Sequence, residues 1–145
     1  MENIEVKEDP FPASTRHAVG LVDGVETQAS STFFSDRIMV TLSQEGRLSQ
    51  WIQVSLSAPS AATVDMALPD RSLLPLSHLT PKTLLGGGGE DRESSGQLYA
   101  VQIGSLIARR DSDEKRVLLV GLGLLKSKTD RESFFDVIEL VQQIL

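Results

Sequence analysis

Hydrophobic and polar positions alternate along much of the chain, but one stretch does not follow that rule. Arg116-Val-Leu-Leu-Val-Gly-Leu-Gly-Leu-Leu125 is apolar almost without interruption, the pattern of a strand covered on both faces. Successive side chains of a strand lie on opposite faces, so Leu118, Val120, Leu122 and Leu124 point one way, and Val117, Leu119, Gly121 and Gly123 the other. Both sets need a cover. The rest of the chain decides what supplies it.

Upstream, a short apolar run over residues 16–22 reaches Asp23-Gly24, the dipeptide best suited to a two-residue hairpin turn. A returning strand follows at once, with Val25, Thr27, Ala29, Ser31 and Phe33 on one face and polar residues between them. Residues 37–43 form a third strand ending at Gln44-Glu45-Gly46, a hairpin-type loop. Residues 47–56 then predict a fourth strand hairpinned to the third. Leu48, Ile52, Val54 and Leu56 share one of its faces; Ser49, Trp51, Gln53 and Ser55 share the other. Trp51 stands alone there among small polar residues, either as ordinary packing or as a protein-contact anchor, since tryptophan is enriched at interface hot spots.

The alternation fails over residues 57–81, where prolines at 59, 69, 75 and 81 mark a long loop. Asp65, Asp70 and Arg71 give that loop charge, and Met66, Leu68, Leu73 and Leu74 give it adhesive side chains. Residues 82–85 form a short strand before Gly86 to Gly89, which opens a flexible loop over 86–96. Ser94 with Gln97 makes a capping box, so a helix is expected from there to Arg110, although the 99–107 region also fits a period of two. The helix following the apolar strand is better marked: Thr129 with Glu132 as a capping box, and Phe134, Val137, Ile138, Val141 and Ile144 as one stripe.

Composition narrows the function classes. The 145 residues, 40% hydrophobic, match one domain, read as a mobile tail over 1–14 and a single folded unit over 15–145. With no cysteine, disulfides, thiolate metal sites and cysteine nucleophiles are excluded. A net charge of −6 argues against nucleic acid or an anionic membrane as partner. The acidic N-terminus lacks the pattern of a secretory signal, and no apolar run nears the roughly 20 residues of a membrane helix. A cytoplasmic or nuclear protein is expected.

Candidate chemistry is sparse. His17 and His78 have no triad or metal-ligand spacing around them. No Lys-Ser or Lys-Thr follows Gly86 to Gly89, as a phosphate loop requires, and Lys126 stands where a dinucleotide fingerprint beginning at Gly121 needs its third glycine. The acid pairs Asp91 and Glu93, and Asp111 and Asp113, sit in polar runs of solvated character. No catalytic, cofactor-binding or metal residues are assigned, and an enzyme is not expected.

The element order predicts an α+β domain: a mostly antiparallel sheet of five or six strands with two helices. Helices lie about 10 Å apart and strands about 4.8 Å, so two helices are used up on one sheet face. The other face then carries Val117, Leu119, Met39 or its neighbours on the third strand and, on the fourth strand, Trp51. Such a face is expected to be covered by a second molecule, a copy of this chain or a related one.

Gly24-Val-Glu-Thr-Gln28, the hairpin over 34–46, Pro81-Lys-Thr-Leu-Leu-Gly86 and the stretch 116–124 resemble the proteasome assembly chaperone 3 family. The resemblance implies a non-catalytic chaperone that uses no ATP or other cofactor. It implies pairing with a related protein, proteasome assembly chaperone 4, and binding of an α-type subunit of the 20S proteasome while the α-ring forms. It also implies that residues 97–110 are helical and that the 57–81 loop, with Asp65, Asp70 and Arg71, contacts the α-subunit. This chain has a longer loop and tail than the family pattern, and additional glycines at 87–89. A longin- or roadblock-like dimeric scaffold in trafficking or signalling is the alternative architecture with the same sheet-and-helix plan.

Overall fold

The structure, a computed structural model, describes residues 13–57, 79–86 and 88–145. Its elements in chain order are β1 (Ser14–Val22), β2 (Val25–Phe33), β3 (Arg37–Gln44), β4 (Gln50–Ser55), β5 (Pro81–Leu85), α1 (Glu90–Arg110), β6 (Val117–Gly123) and α2 (Arg131–Gln142). They form a six-stranded sheet of order β1-β2-β3-β6-β4-β5, with both helices on one side. This is the expected α+β plan.

Local chemistry explains the first hairpin. Asp23 and Gly24 both take positive φ (56° and 73°), the geometry that joins twisted antiparallel strands in two residues. β1 and β2 pair from Val22↔Val25 outward to Ser14↔Phe33.

The second turn behaves differently from the sequence-based expectation. Glu45 and Gly46 take positive φ and reverse the chain, yet β3 and β4 do not pair with each other. β6 lies between them, parallel to β3 and antiparallel to β4. The most continuously apolar strand thereby gains two neighbours and takes an inner position, with both backbone edges paired and Leu118, Val120 and Leu122 buried under the helices. Residues 47–49 bridge over the end of β6, with the Ser49 amide donating to the Leu122 carbonyl at 2.8 Å.

The core lies between the sheet and the helices. Ile38, Val40 and Leu42 of β3, Ile52 and Val54 of β4, and Leu118, Val120 and Leu122 of β6 are buried there. α1 packs on β4, β5 and β6 through Tyr99, Ala100, Ile103 and Ile107, while α2 packs on β1 and on α1. Leu140 of α2 sits over Gly20, and the Ser31 hydroxyl of β2 donates to the Ile144 carbonyl at 2.5 Å. Gln44 is a buried polar staple. Its amide nitrogen donates to the Val22 carbonyl (3.2 Å) and the Thr27 hydroxyl (2.9 Å), and its oxygen accepts from the Leu125 amide (2.8 Å).

Both helix starts correct the sequence reading. α1 begins at Glu90, so residues 90–96 are helical and not part of a loop. Its N-cap is Gly89, and Glu90, Asp91 and Glu93 line the first turn, where the helix dipole favours acids. Arg92 fixes this turn by donating to the Leu124 and Leu125 carbonyls at 2.8 and 3.4 Å. At α2 the cap is Asp130, not Thr129: its carboxylate accepts from the Ser133 amide at 2.8 Å. The Thr129 hydroxyl is engaged with Tyr99, whose ring stacks on Phe134 with centroids 5.9 Å apart. Burial pushes the Tyr99 hydroxyl pKa up.

Candidate interaction face

With both helices on one side, no helix or strand among the described residues packs on the opposite face of the sheet. Strand register sets what that face displays. Leu119 at its centre is flanked by Met39 of β3 and Gln53 of β4. One step along, Gly121 is flanked by Thr41 and Trp51; one step the other way, Val117 is flanked by Arg37 and Ser55. Val117, Leu119, Met39 and Trp51 are all half-buried. The β2 side is polar: the Ser30 and Thr41 hydroxyls hydrogen-bond at 2.5 Å, and Gln28 and Thr32 stand beside Ser43 and Met39. At the sheet's outer strands, Val19 and Leu21 of β1 and Leu85 of β5 are at least 60% exposed.

The sequence thus locates Val117, Leu119 and Trp51, and the structure brings them together on this face. Met39 and Gln53 become direct neighbours of Leu119 only because β6 lies between β3 and β4, an arrangement with no local sequence signal. Asp65, Asp70, Arg71 and His78 lie outside the described residues. His17 sits on β1 across from Ser30.

The two β6 glycines make room for other parts of this chain. A Cβ on Gly123 would lie 1.5 Å from the Arg47 carbonyl oxygen, and one on Gly121 would lie 2.9 Å from the Trp51 ring. The chain's own atoms fill both spaces, so Val117 and Leu119 are the part of β6 left open.

Ion pairs fix the two ends of this strand. Arg116 grips Glu114 bidentately, Nε to Oε1 at 2.7 Å and Nη2 to Oε2 at 2.8 Å, and also donates to the Phe34 carbonyl at 3.0 Å. Its guanidinium lies 5.6 Å from the Phe33 ring centroid. The Arg116 hydrogen bonds hold the Glu114 carboxyl below its usual range, and Glu114 raises Arg116 in return. Beyond the other end, Lys126 contacts Asp130 at 2.5 Å and Asp23 at 3.7 Å. That contact, with the Ser133 amide, lowers the Asp130 pKa to about 2.

Among the described residues no cluster of three or more His, Asp or Glu converges as metal ligands, and no helix is long and apolar enough to cross a membrane. A cleft of about 230 Å³ beside the Glu45-Gly46 turn is lined by Val25, Glu26, Gln28, Ser43 and Glu45. The arrangement offers contact area, with Val117, Leu119, Met39 and Trp51 half-buried side by side on one sheet face.

No protein-family model matches the chain. Among known proteins it is 36% identical over 136 residues to an uncharacterized protein of Schizosaccharomyces pombe, covering 84% of this chain and 90% of that one. The chain belongs to the same family as that protein. Among solved structures, the family's fold is similar to that of a chain in the crystal structure of a chaperone complex for yeast 20S proteasome assembly. The TM-score is 0.60 at 15% identity, covering 91% of this chain and 97% of the other. At that identity the likeness is one of fold.

Proposed function

We propose that this protein is a non-catalytic assembly chaperone of the 20S proteasome. It pairs through the open sheet face with a related chaperone, proteasome assembly chaperone 4, and holds an α-type subunit while the α-ring closes. The observation that carries this reading is the bare sheet face, with Leu119 at its centre, on a fold shared with a chain of a proteasome-assembly chaperone complex. The sequence likeness to proteasome assembly chaperone 3 supports the same partners.

Area is consistent with pairing. A sheet of six strands at about 4.8 Å spacing, about seven residues long at about 3.3 Å each, offers roughly 600 Å². Two such faces bury about 1,200 Å², the lower bound for specific interfaces. Each large aliphatic side chain buried contributes roughly 1.5–3 kcal/mol, so Leu119, Met39, Val117 and Trp51 together offset a substantial part of the entropy lost on association.

The chaperone acts by differential binding: it stabilises the partly built ring and loses its hold when later subunits compete for the same surface. We assign α-subunit contact to the 57–81 loop, with Asp65, Asp70 and Arg71 as its charged residues, and action to the cytoplasm and nucleus. Affinity purification of the full chain under native lysis, followed by mass spectrometry, tests the proposal. Recovery of proteasome α-type subunits with a second small chaperone is expected. Recovery of neither would overturn it.

A further inference from the structure

We propose that Gly121 sets the height of the Trp51 ring over the sheet, so that the open face is flat enough for a second sheet to close on it. This rests on the pairing function proposed above. Trp51 of β4 and Gly121 of β6 are register partners. A Cβ built on Gly121 would lie 2.9 Å from Cη2 and Cζ3 and 3.2 Å from Cε3 of Trp51. The six-membered ring of the indole therefore occupies the place a side chain would take. Gly121 does not use the left-handed backbone that requires glycine at Gly24 and Gly46. Its demand is for space alone.

The consequence falls on the partner. Two packed sheets lie about 10 Å apart, with one layer of side chains from each. Lying on Gly121, Trp51 is half-buried on the same face as Leu119 and Met39. A methyl at position 121 would tilt the ring outward, into the space the opposing layer needs. Gly121 is then a positioning residue that acts through Trp51, in the way aromatic rings cover glycines in sheets elsewhere. If the ring merely filled a gap, substitution at Gly121 would change stability and leave pairing alone.

The test uses the full chain as wild type, Gly121→Ala, Trp51→Phe and the double variant, together with the related chaperone in purified form. Trp51 is the chain's only tryptophan, so its emission reports the ring directly. Gly121→Ala is expected to shift that emission to the red and to weaken pairing, measured by sedimentation, at least about tenfold, as for a hot-spot residue. In the Trp51→Phe background the shorter ring clears the methyl, and the same substitution is expected to cost under about twofold, a strong coupling in a double-mutant cycle.

Equal losses in both backgrounds, unchanged emission, or Gly121→Ala pairing as tightly as wild type would each overturn the inference and leave the pairing function standing. A wild-type chain that never pairs would overturn both. If Gly121→Ala fails to fold while the double variant folds and pairs, the coupling is upheld; a double variant that also fails to fold overturns it.

Discussion

Gly121 and Gly123 lie two residues apart on one face of β6, yet substitution at each meets a different obstacle. At Gly121 the obstacle is the far end of a side chain, which can tilt; at Gly123 it is the Arg47 carbonyl, 1.5 Å from where a Cβ would stand. Backbone cannot swing aside without moving the crossing over β6. Gly123→Ala is therefore expected to cost about 3 kcal/mol, the upper end for overpacking, and to lower the melting temperature by roughly 10 °C. A melt within 2 °C of wild type would contradict the packing described, taking about 2–4 °C per kcal/mol as the scale.

Glu114 offers a test by pH at the same scale. Its carboxyl is held below the usual range by Arg116, so its contribution to stability is complete above the unfolded value of about 4.3. That contribution is lost as pH falls through the lower folded value. Glu114→Gln is expected to destabilise the chain by about 1–3 kcal/mol at neutral pH, the range for charged hydrogen bonds. Urea melts between pH 3 and 7 should show a wild-type advantage that shrinks in acid. Parallel curves would exclude the linkage.

Elements differ in how far local residues determine them. The β1–β2 hairpin was legible because Asp23-Gly24 carries its own turn geometry, and α2 because its apolar stripe lies within one segment, although its cap is Asp130 and not Thr129. The start of α1 was not, since no side chain caps it and Arg92 secures its first turn by reaching the distant Leu124 carbonyl. Nor was the separation of β3 from β4. A tight turn at Glu45-Gly46 suggests direct pairing, and only competition with β6, more than 60 residues later in the chain, decides against it. The candidate face shared this limit: Leu119, Met39 and Trp51 were readable from the sequence as members of one face, but that Met39 and Gln53 flank Leu119 required the strand order.

Two outcomes follow for these elements. Leu118, fully buried near the start of β6, should cost about 2–5 kcal/mol when changed to alanine, as a core truncation does; a loss under 1 kcal/mol by denaturant titration would move this part of β6 out of the core. Asp130→Ala should lower the melting temperature more than Asp130→Asn, because asparagine keeps an oxygen for the Ser133 amide. Equal losses would remove the cap from the account.

For the molecule as a whole, the proposed pairing rests on the sheet face opposite the two helices. The helices and the core account for Leu118, Val120 and Leu122; among the described residues no element packs over Val117, Leu119, Met39 and the outer side of Trp51. The most direct measurement is sedimentation of the purified full chain with proteasome assembly chaperone 4, as wild type and as Leu119→Arg. The account expects a 1:1 pair for wild type and two separate species for Leu119→Arg, with the variant chain still melting cooperatively. A wild-type chain that stays alone, or a Leu119→Arg chain that pairs equally well, would contradict it.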